Sequence, residues 1–241
     1  HVHSTDPVLS CLGSQYAGWS LSFVQNDDNF SALGSGPCRA LAGKEDIFKD
    51  IGYKDKFFST VVVLEVDQKP PQEIIDKVVT DCDISEKNLT VILTPTRSLC
   101  GTTQVVGRVL EVGLHKVHEL GFPIDKVVDG FGSAPLPPPA PDFLIGMGRT
   151  NDAILYGGLV HLYVDTPNDD AEELAKRLPS STSKDYGKPF ADIFKEYKYD
   201  FYQIDKMLFS PAKVIVSSLK TGKSYTSGNI DLSLMDNSFN K

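Results

Sequence analysis

Between residues 57 and 130 the chain alternates short apolar runs with longer amphipathic segments. Residues 57–66, 89–93 and 124–128 are apolar runs of strand length. The segments between them, 71–80 and 103–120, carry apolar residues at helical spacing. This order predicts a β-α-β-α-β unit with parallel strands and right-handed crossovers, and therefore an α/β protein.

A proline-rich segment follows this unit and predicts a second domain. Residues 130–142 contain five prolines in a stiff stretch that is typical of a connection between domains. We therefore expect two α/β domains with a cleft between them. Residues 1–55 and 140–241 would form one domain, and residues 56–139 would form the other, which holds the β-α-β-α-β unit and the proline-rich connection.

The composition excludes several classes of protein. There are 24 Lys+Arg against 32 Asp+Glu, a net charge of −8, which argues against a general nucleic-acid binder because phosphate contacts need a basic surface. Hydrophobic residues make up 41% of the chain, which is typical of a folded protein, and no apolar run approaches the roughly 18 residues of a membrane span. The cysteines lack C-x-x-C spacing, so we expect reduced thiols in a cytoplasmic protein.

A glycine-rich segment precedes a predicted helix in the N-terminal part. Gly34, Ser35 and Gly36 come directly before Pro37, a residue that suits the first turn of a helix. Backbone N–H groups of such a loop can bind an anion. The alternative is an ordinary turn that caps the helix, which the short motif alone favours.

The predicted helix 103–120 carries four polar residues on one face, namely Arg108, Glu111, His115 and His118. One interpretation is a solvated helix face with a weak Arg–Glu pair. A second is a metal site built from Glu111 and the two histidines. A third is a catalytic pair, in which Glu111 removes a proton from water and Arg108 orients it.

Other polar residues are candidates for contacts with an anion. Arg149 and Asn151 lie in a predicted polar loop before a strand pair around 153–164, where they could grip a phosphate or carboxylate or merely cap a turn. Lys188 lies in a helix-start pattern with the same two interpretations. His1 and His3 have the H-x-H spacing of some metal hydrolases, although the motif has low specificity.

Several segments together resemble the methenyltetrahydromethanopterin cyclohydrolase family. The most specific is the run Gly146-Met-Gly-Arg-Thr-Asn-Asp-Ala-Ile-Leu-Tyr-Gly-Gly158, and the order and spacing hold from about residue 4 to the C-terminus. The others are Gln15-Tyr16-Ala17-Gly18-Trp19, Gly34 to Leu41, Arg108-Val109-Leu110-Glu111, Gly132-Ser133-Ala134-Pro135, Asp185 to Phe190 and Asp200 to Asp205.

The resemblance implies a two-domain α/β enzyme of one-carbon metabolism, often a homotrimer. Such enzymes interconvert the methenyl cation of tetrahydromethanopterin plus water and the N5-formyl compound, without a metal or redox cofactor. The family starts further upstream, so we expect a missing N-terminal stretch of several dozen residues that would complete the first domain. A metal-dependent hydrolase and a non-catalytic pterin-binding relative remain the alternatives.

The resemblance also implies roles for particular residues. The family's Arg-x-x-Glu pair falls on Arg108 and Glu111, which makes Glu111 the base and water positioner and Arg108 its partner. A positive arginine beside a carboxyl group favours its carboxylate form, which suits a base. The candidates for holding the pterin or its anionic tail are Gly34, Ser35, Gly36, Arg39, Arg149, Asn151 and Lys188.

Overall fold

The computed structural model describes residues 1–16, 18–25 and 28–240. Ala17, which belongs to one of the family-like segments, lies outside the described residues. The strands are β1 (Val2–Ser4), β2 (Trp19–Gln25), β3 (Asp28–Ser35), β4 (Thr60–Leu64), β5 (Leu89–Leu93), β6 (Val127–Ser133), β7 (Leu159–Val164), β8 (Lys213–Ser218) and β9 (Ser224–Gly228).

The α-helices are α1 (Cys38–Ala42), α2 (Ile47–Ile51), α3 (Gln72–Cys82), α4 (Leu99–Val106), α5 (Val109–Glu119), α6 (Phe143–Leu155), α7 (Asn168–Arg177), α8 (Phe190–Glu196) and α9 (Leu232–Phe239). A π-helix covers Val8–Gly13, and short 3₁₀ turns occur between several elements. Within the described part of the chain, no helix combines the length and the apolar character that a membrane crossing requires.

The chain divides into two compact units, each built on one sheet. The smaller unit, Leu9–Thr96, has the strand order β2-β3-β4-β5, in which only β4 and β5 are parallel. The larger unit, His1–Val8 with Arg97–Lys241, has the order β1-β6-β7-β8-β9, in which only β7 and β8 are parallel. Sheets and helices thus occur in both units, and the predicted α/β class is confirmed.

The predicted β-α-β-α-β unit forms only in part. The parallel pair β4–β5 and its crossover helix α3 match the prediction, but the third strand, β6, pairs antiparallel with β1 and β7 in the other sheet. The apolar pattern of β6 shows that it is a strand but carries no information about its neighbours. The units accordingly divide after residues 8 and 96, which differs from the predicted boundaries after residues 55 and 139.

The predicted helix 103–120 is two helices. Helix α4 ends at Val106, and Arg108 N–H donates to Val105 O at 3.0 Å, not to a carbonyl four residues earlier as in a continuous α-helix. Gly107 lies at this break, and glycine has a low helix propensity. Helix α5 then begins at Val109, so Arg108 is the residue directly before its first turn.

The predicted polar loop before residue 153 is wrong, because residues 143–155 form helix α6. Asp142 caps this helix by accepting a hydrogen bond from Ile145 N–H at 3.0 Å. Gly146 and Gly148 in this segment are typical of loops, and for this reason the sequence predicts a loop where the structure has a helix. Gly148 serves packing instead, since a Cβ there would lie 2.9 Å from Ala191 Cβ of α8.

All four cysteines are thiols, and three of them are buried. Burial raises the pKa of Cys82 to about 11 and also raises the pKa of Cys38. Because thiolate is the reactive form, we expect a disulfide reagent to label only Cys100 rapidly in the folded protein and all four thiols after denaturation. The Cys100→Ser variant should lose the rapid phase, and rapid labelling of two or more thiols in the native state would contradict this assignment.

Candidate active site

Glu111 lies in the first turn of α5 and is buried, with 6% of its surface exposed. The N–H groups at a helix N-terminus give that end a partial positive charge, which stabilises a carboxylate. The prediction of a solvated helix face is therefore wrong for this residue. A buried carboxylate at a helix start is instead a suitable group for holding a water molecule and accepting its proton.

Arg108 lies three residues before Glu111, at the turn between α4 and α5. Its Nε and Nη2 donate to Gln104 Oε1 at 3.3 and 2.9 Å, so α4 fixes the orientation of the guanidinium group. The structure thus places the cation and the carboxylate of the predicted pair at the same helix start.

Lys116, which the sequence analysis missed, is the most deeply buried charged residue of α5. Its Nζ donates to Pro179 O and Met207 O, both at 2.7 Å, and to Thr182 Oγ1 at 2.8 Å. Burial lowers the pKa of Lys116 to about 7, while Asp205 acts in the opposite direction. These bonds tie the middle of α5 to two turns of the larger unit.

The two histidines of α5 do not assemble the metal site considered above. His115 Nε2 lies 3.7 Å from Glu119 Oε1, and burial lowers the pKa of His115. In the part of the chain that the structure describes, no three or more His, Cys, Asp or Glu side chains are grouped to hold a metal ion. His3, of the H-x-H pair, forms a hydrogen bond with Asp129 at 3.0 Å.

Arg149 and Asn151 lie on α6 and bind backbone carbonyls. Arg149 Nη1 donates to Pro138 O and Pro139 O at 3.1 and 3.2 Å, which fastens the proline-rich segment to this helix. Asn151 Nδ2 donates to Met147 O at 2.9 Å. The predicted role of both residues in binding an anion stays a prediction.

Lys188 precedes α8 and is exposed. Its Nζ forms an ion pair with both carboxylate oxygens of Glu196, at 2.7 and 2.8 Å. The start of α8 is held by a different residue, the fully buried Asp152, whose Oδ1 accepts the Phe190 N–H at 2.8 Å. The predicted role of Lys188 in binding an anion stays a prediction.

The glycines of the Gly34-Ser35-Gly36 segment are required by the smaller unit itself. Gly34 lies inside β3, where a Cβ would be 2.7 Å from Cε3 of Trp19. Gly36 has φ of +101°, a value that favours glycine, and its N–H donates to Ser14 O at 2.7 Å. These constraints explain the glycines without a ligand, so their predicted role in binding stays a prediction.

Arg39, in α1, is fully buried in the smaller unit. Its Nε and Nη2 donate to the two carboxylate oxygens of Glu45 at 2.8 and 2.6 Å, and its Cζ lies 5.8 Å from the ring centres of Tyr16 and Phe48. A bidentate Arg–carboxylate pair fixes the orientation of the guanidinium group. The structure assigns Arg39 a part in the core, and a contact with substrate stays a prediction.

Comparison with known proteins identifies the family. The model of the family described as cyclohydrolase (MCH) matches residues 1–239. The chain belongs to this family. The resemblance carried by segments such as Arg108-Val109-Leu110-Glu111 is thereby confirmed.

Several relatives share the name methenyltetrahydromethanopterin cyclohydrolase. The protein from Methylobacillus flagellatus is 61% identical over 238 residues, which are 99% of this chain and 72% of the relative. The one from Methylobacterium organophilum is 54% identical and covers 99% of this chain and 74% of its own length. A more distant relative, from Methanothermobacter marburgensis, is 46% identical over 97% of this chain and 72% of its own.

Proposed function

We propose that this chain is a methenyltetrahydromethanopterin cyclohydrolase of one-carbon metabolism. It interconverts the 5,10-methenyl cation of tetrahydromethanopterin plus water and the N5-formyl compound. The observation that carries the proposal is the family match over residues 1–239, together with a relative of that name that is 61% identical over 99% of this chain. The reaction is a hydrolysis of a cyclic amidine, and the pterin is its substrate.

The proposed chemistry is one hydration followed by one ring opening. The oxygen of water bonds to the electrophilic methenyl carbon while one water proton passes to a base. The hydroxyl of the resulting adduct then loses its proton, N10 receives a proton, and the bond between the carbon and N10 breaks. The carbon remains on N5 as a formyl group, and one proton is released per cation consumed.

Glu111 is the proposed base. Its burial at the start of α5 and the partial positive charge of that helix end support a carboxylate that positions one water molecule. Arg108, held by Gln104, is its proposed partner and orients the carboxylate or the formyl oxygen. The reaction as proposed uses no metal or redox cofactor.

The remaining assignments rest on the resemblance. Lys188, which is exposed and whose Nζ pairs with Glu196, suits an anionic tail of the substrate. Arg149 and Asn151 are proposed to help hold the pterin or its anionic tail, and their contacts with backbone carbonyls fix their positions on α6. The proposal further includes a cytoplasmic homo-oligomer, with a trimer favoured, that needs neither nucleic acid nor a membrane.

The direct test identifies the product and its rate of formation. A methenyl substrate labelled with ¹³C at the reacting carbon is incubated with the protein, and the product is followed by NMR. We expect the label to appear in a formyl group on N5, faster than in a sample without protein. If the protein binds the substrate but the product forms only at the protein-free rate, it is a binding protein and not a cyclohydrolase.

A further inference from the structure

Strand β6 lies close to the first turn of α5 at Gly132. A Cβ at this position would lie 2.9 Å from Val109 Cγ1, 3.1 Å from Leu110 Cβ and 3.1 Å from Leu110 N. Favourable contacts between carbon atoms occur at about 3.5–4.0 Å. A side chain at residue 132 would therefore push against the helix, and one of the atoms it meets is backbone.

We propose that Gly132 is a positioning residue for Glu111, an inference that rests on the role proposed above for that carboxylate. Glu111 follows Leu110 directly in the first turn of α5. A side chain can turn away from a crowding methyl group, but the backbone nitrogen of Leu110 moves only with the helix turn. Gly132 thus sets the distance between the sheet and the turn that carries the base.

The same strand offers a matched control. Gly130 lies two residues before Gly132, on the same face of β6, and is also buried. A Cβ there would lie 2.9 Å from Leu110 Cδ1 and 3.3 Å from Pro7 Cβ, which are both side-chain atoms. Gly130→Ala therefore perturbs the packing under the same helix without pressing on its backbone.

The experiment compares kcat, KM and thermal stability of Gly132→Ala and Gly130→Ala with the methenyl substrate. A displacement of about 1 Å at a reacting group can cost about 10²-fold in rate. We expect kcat of Gly132→Ala to fall about tenfold or more with KM nearly unchanged. Gly130→Ala should keep its kcat even where its melting temperature falls equally. An equal loss of kcat in both variants, or none in Gly132→Ala, would overturn the inference.

A second comparison separates this inference from the function on which it rests. In a Glu111→Gln background, Gly132→Ala should lower kcat by less than about twofold, because the group that it misplaces is already inactive. Full additivity would show that Gly132 acts through something else. A Glu111→Gln enzyme of normal rate would instead refute the role of Glu111.

If Gly132→Ala does not fold, a second variant still tests the inference. Val109→Ala removes the closest contact at 2.9 Å but keeps the contact with Leu110 N. The double variant Val109→Ala/Gly132→Ala is then compared with Val109→Ala alone. The double variant should show the same selective loss of kcat, and equal kcat values would overturn the proposal.

Discussion

Glu111→Gln is expected to lower kcat by about 10²–10⁴-fold, the usual cost of losing a general base. Glutamine has nearly the same size and can still hold a water molecule by a hydrogen bond, but it does not accept a proton at neutral pH. The fold and the KM should therefore stay close to those of the unchanged protein. Steady-state kinetics with the methenyl substrate, together with circular dichroism, measure both.

Glu119→Gln is the matched control for this substitution. Glu119 is the last residue of the same helix and lies near His115 and Lys206. Glu119→Gln removes one negative charge from α5, as Glu111→Gln does, but leaves the first turn of the helix intact. The kcat should therefore be retained. Near-normal turnover by Glu111→Gln, or an equal loss in both variants, would refute the assignment of the base.

Lys116→Met is expected to destabilise the protein by about 1–3 kcal/mol. Lys116 Nζ donates to two backbone carbonyls and one hydroxyl in a site without solvent exposure. Methionine fills a similar volume but donates nothing. Pro179 O keeps the N–H and the hydroxyl of Thr182 as donors, whereas Met207 O loses the bond from Lys116 Nζ. One buried acceptor left unpaired costs about 1–3 kcal/mol. Urea unfolding measures the change. Lys126→Met, which removes a half-exposed lysine, should change the free energy of unfolding by less than about 0.5 kcal/mol.

The contribution of Lys116 to the free energy of unfolding should also depend on pH. The pKa of Lys116 is about 7 in the folded state, whereas in the unfolded chain it has the ordinary lysine value of 10.5. Between these values the unfolded chain binds more protons, so this lysine makes the free energy of unfolding rise with pH. The difference in stability between the unchanged protein and Lys116→Met should therefore grow from pH 7 to pH 9. The thiols titrate in both proteins and cancel in the difference, and a constant or shrinking difference would contradict the prediction.

Local sequence patterns were sufficient to predict the elements that depend mainly on residues close in the sequence. Strand β5 has the predicted bounds, and helix α3 forms where residues 71–80 predict a helix. The wrong predictions concern features that depend on contacts between residues distant in the sequence. Gly148 resembles a loop residue until Ala191 of another helix is known to pack against it, and β6 has no sequence mark that names β1 and β7 as its neighbours.

The same distinction applies to the candidate site. The three-residue spacing of Arg108 and Glu111 is a local signal, so the sequence alone is sufficient to propose the pair, whereas the break between α4 and α5 appears only in the structure. The partners of Arg39 and Arg149 are set by tertiary contacts, so the sequence showed two cations but not the groups that hold them. Lys116 was detectable, because it lies seven residues after Val109 and three after Gly113, on the apolar face of α5.

The most direct measurement is the rate at which the protein removes the absorbance of the methenyl cation of tetrahydromethanopterin in the presence of a metal chelator. The account predicts a loss far faster than in a protein-free sample, retained with the chelator and strongly reduced in Glu111→Gln. A loss no faster than the protein-free rate would contradict the cyclohydrolase function. A loss that the chelator abolishes would contradict a mechanism built on Glu111 and Arg108 alone.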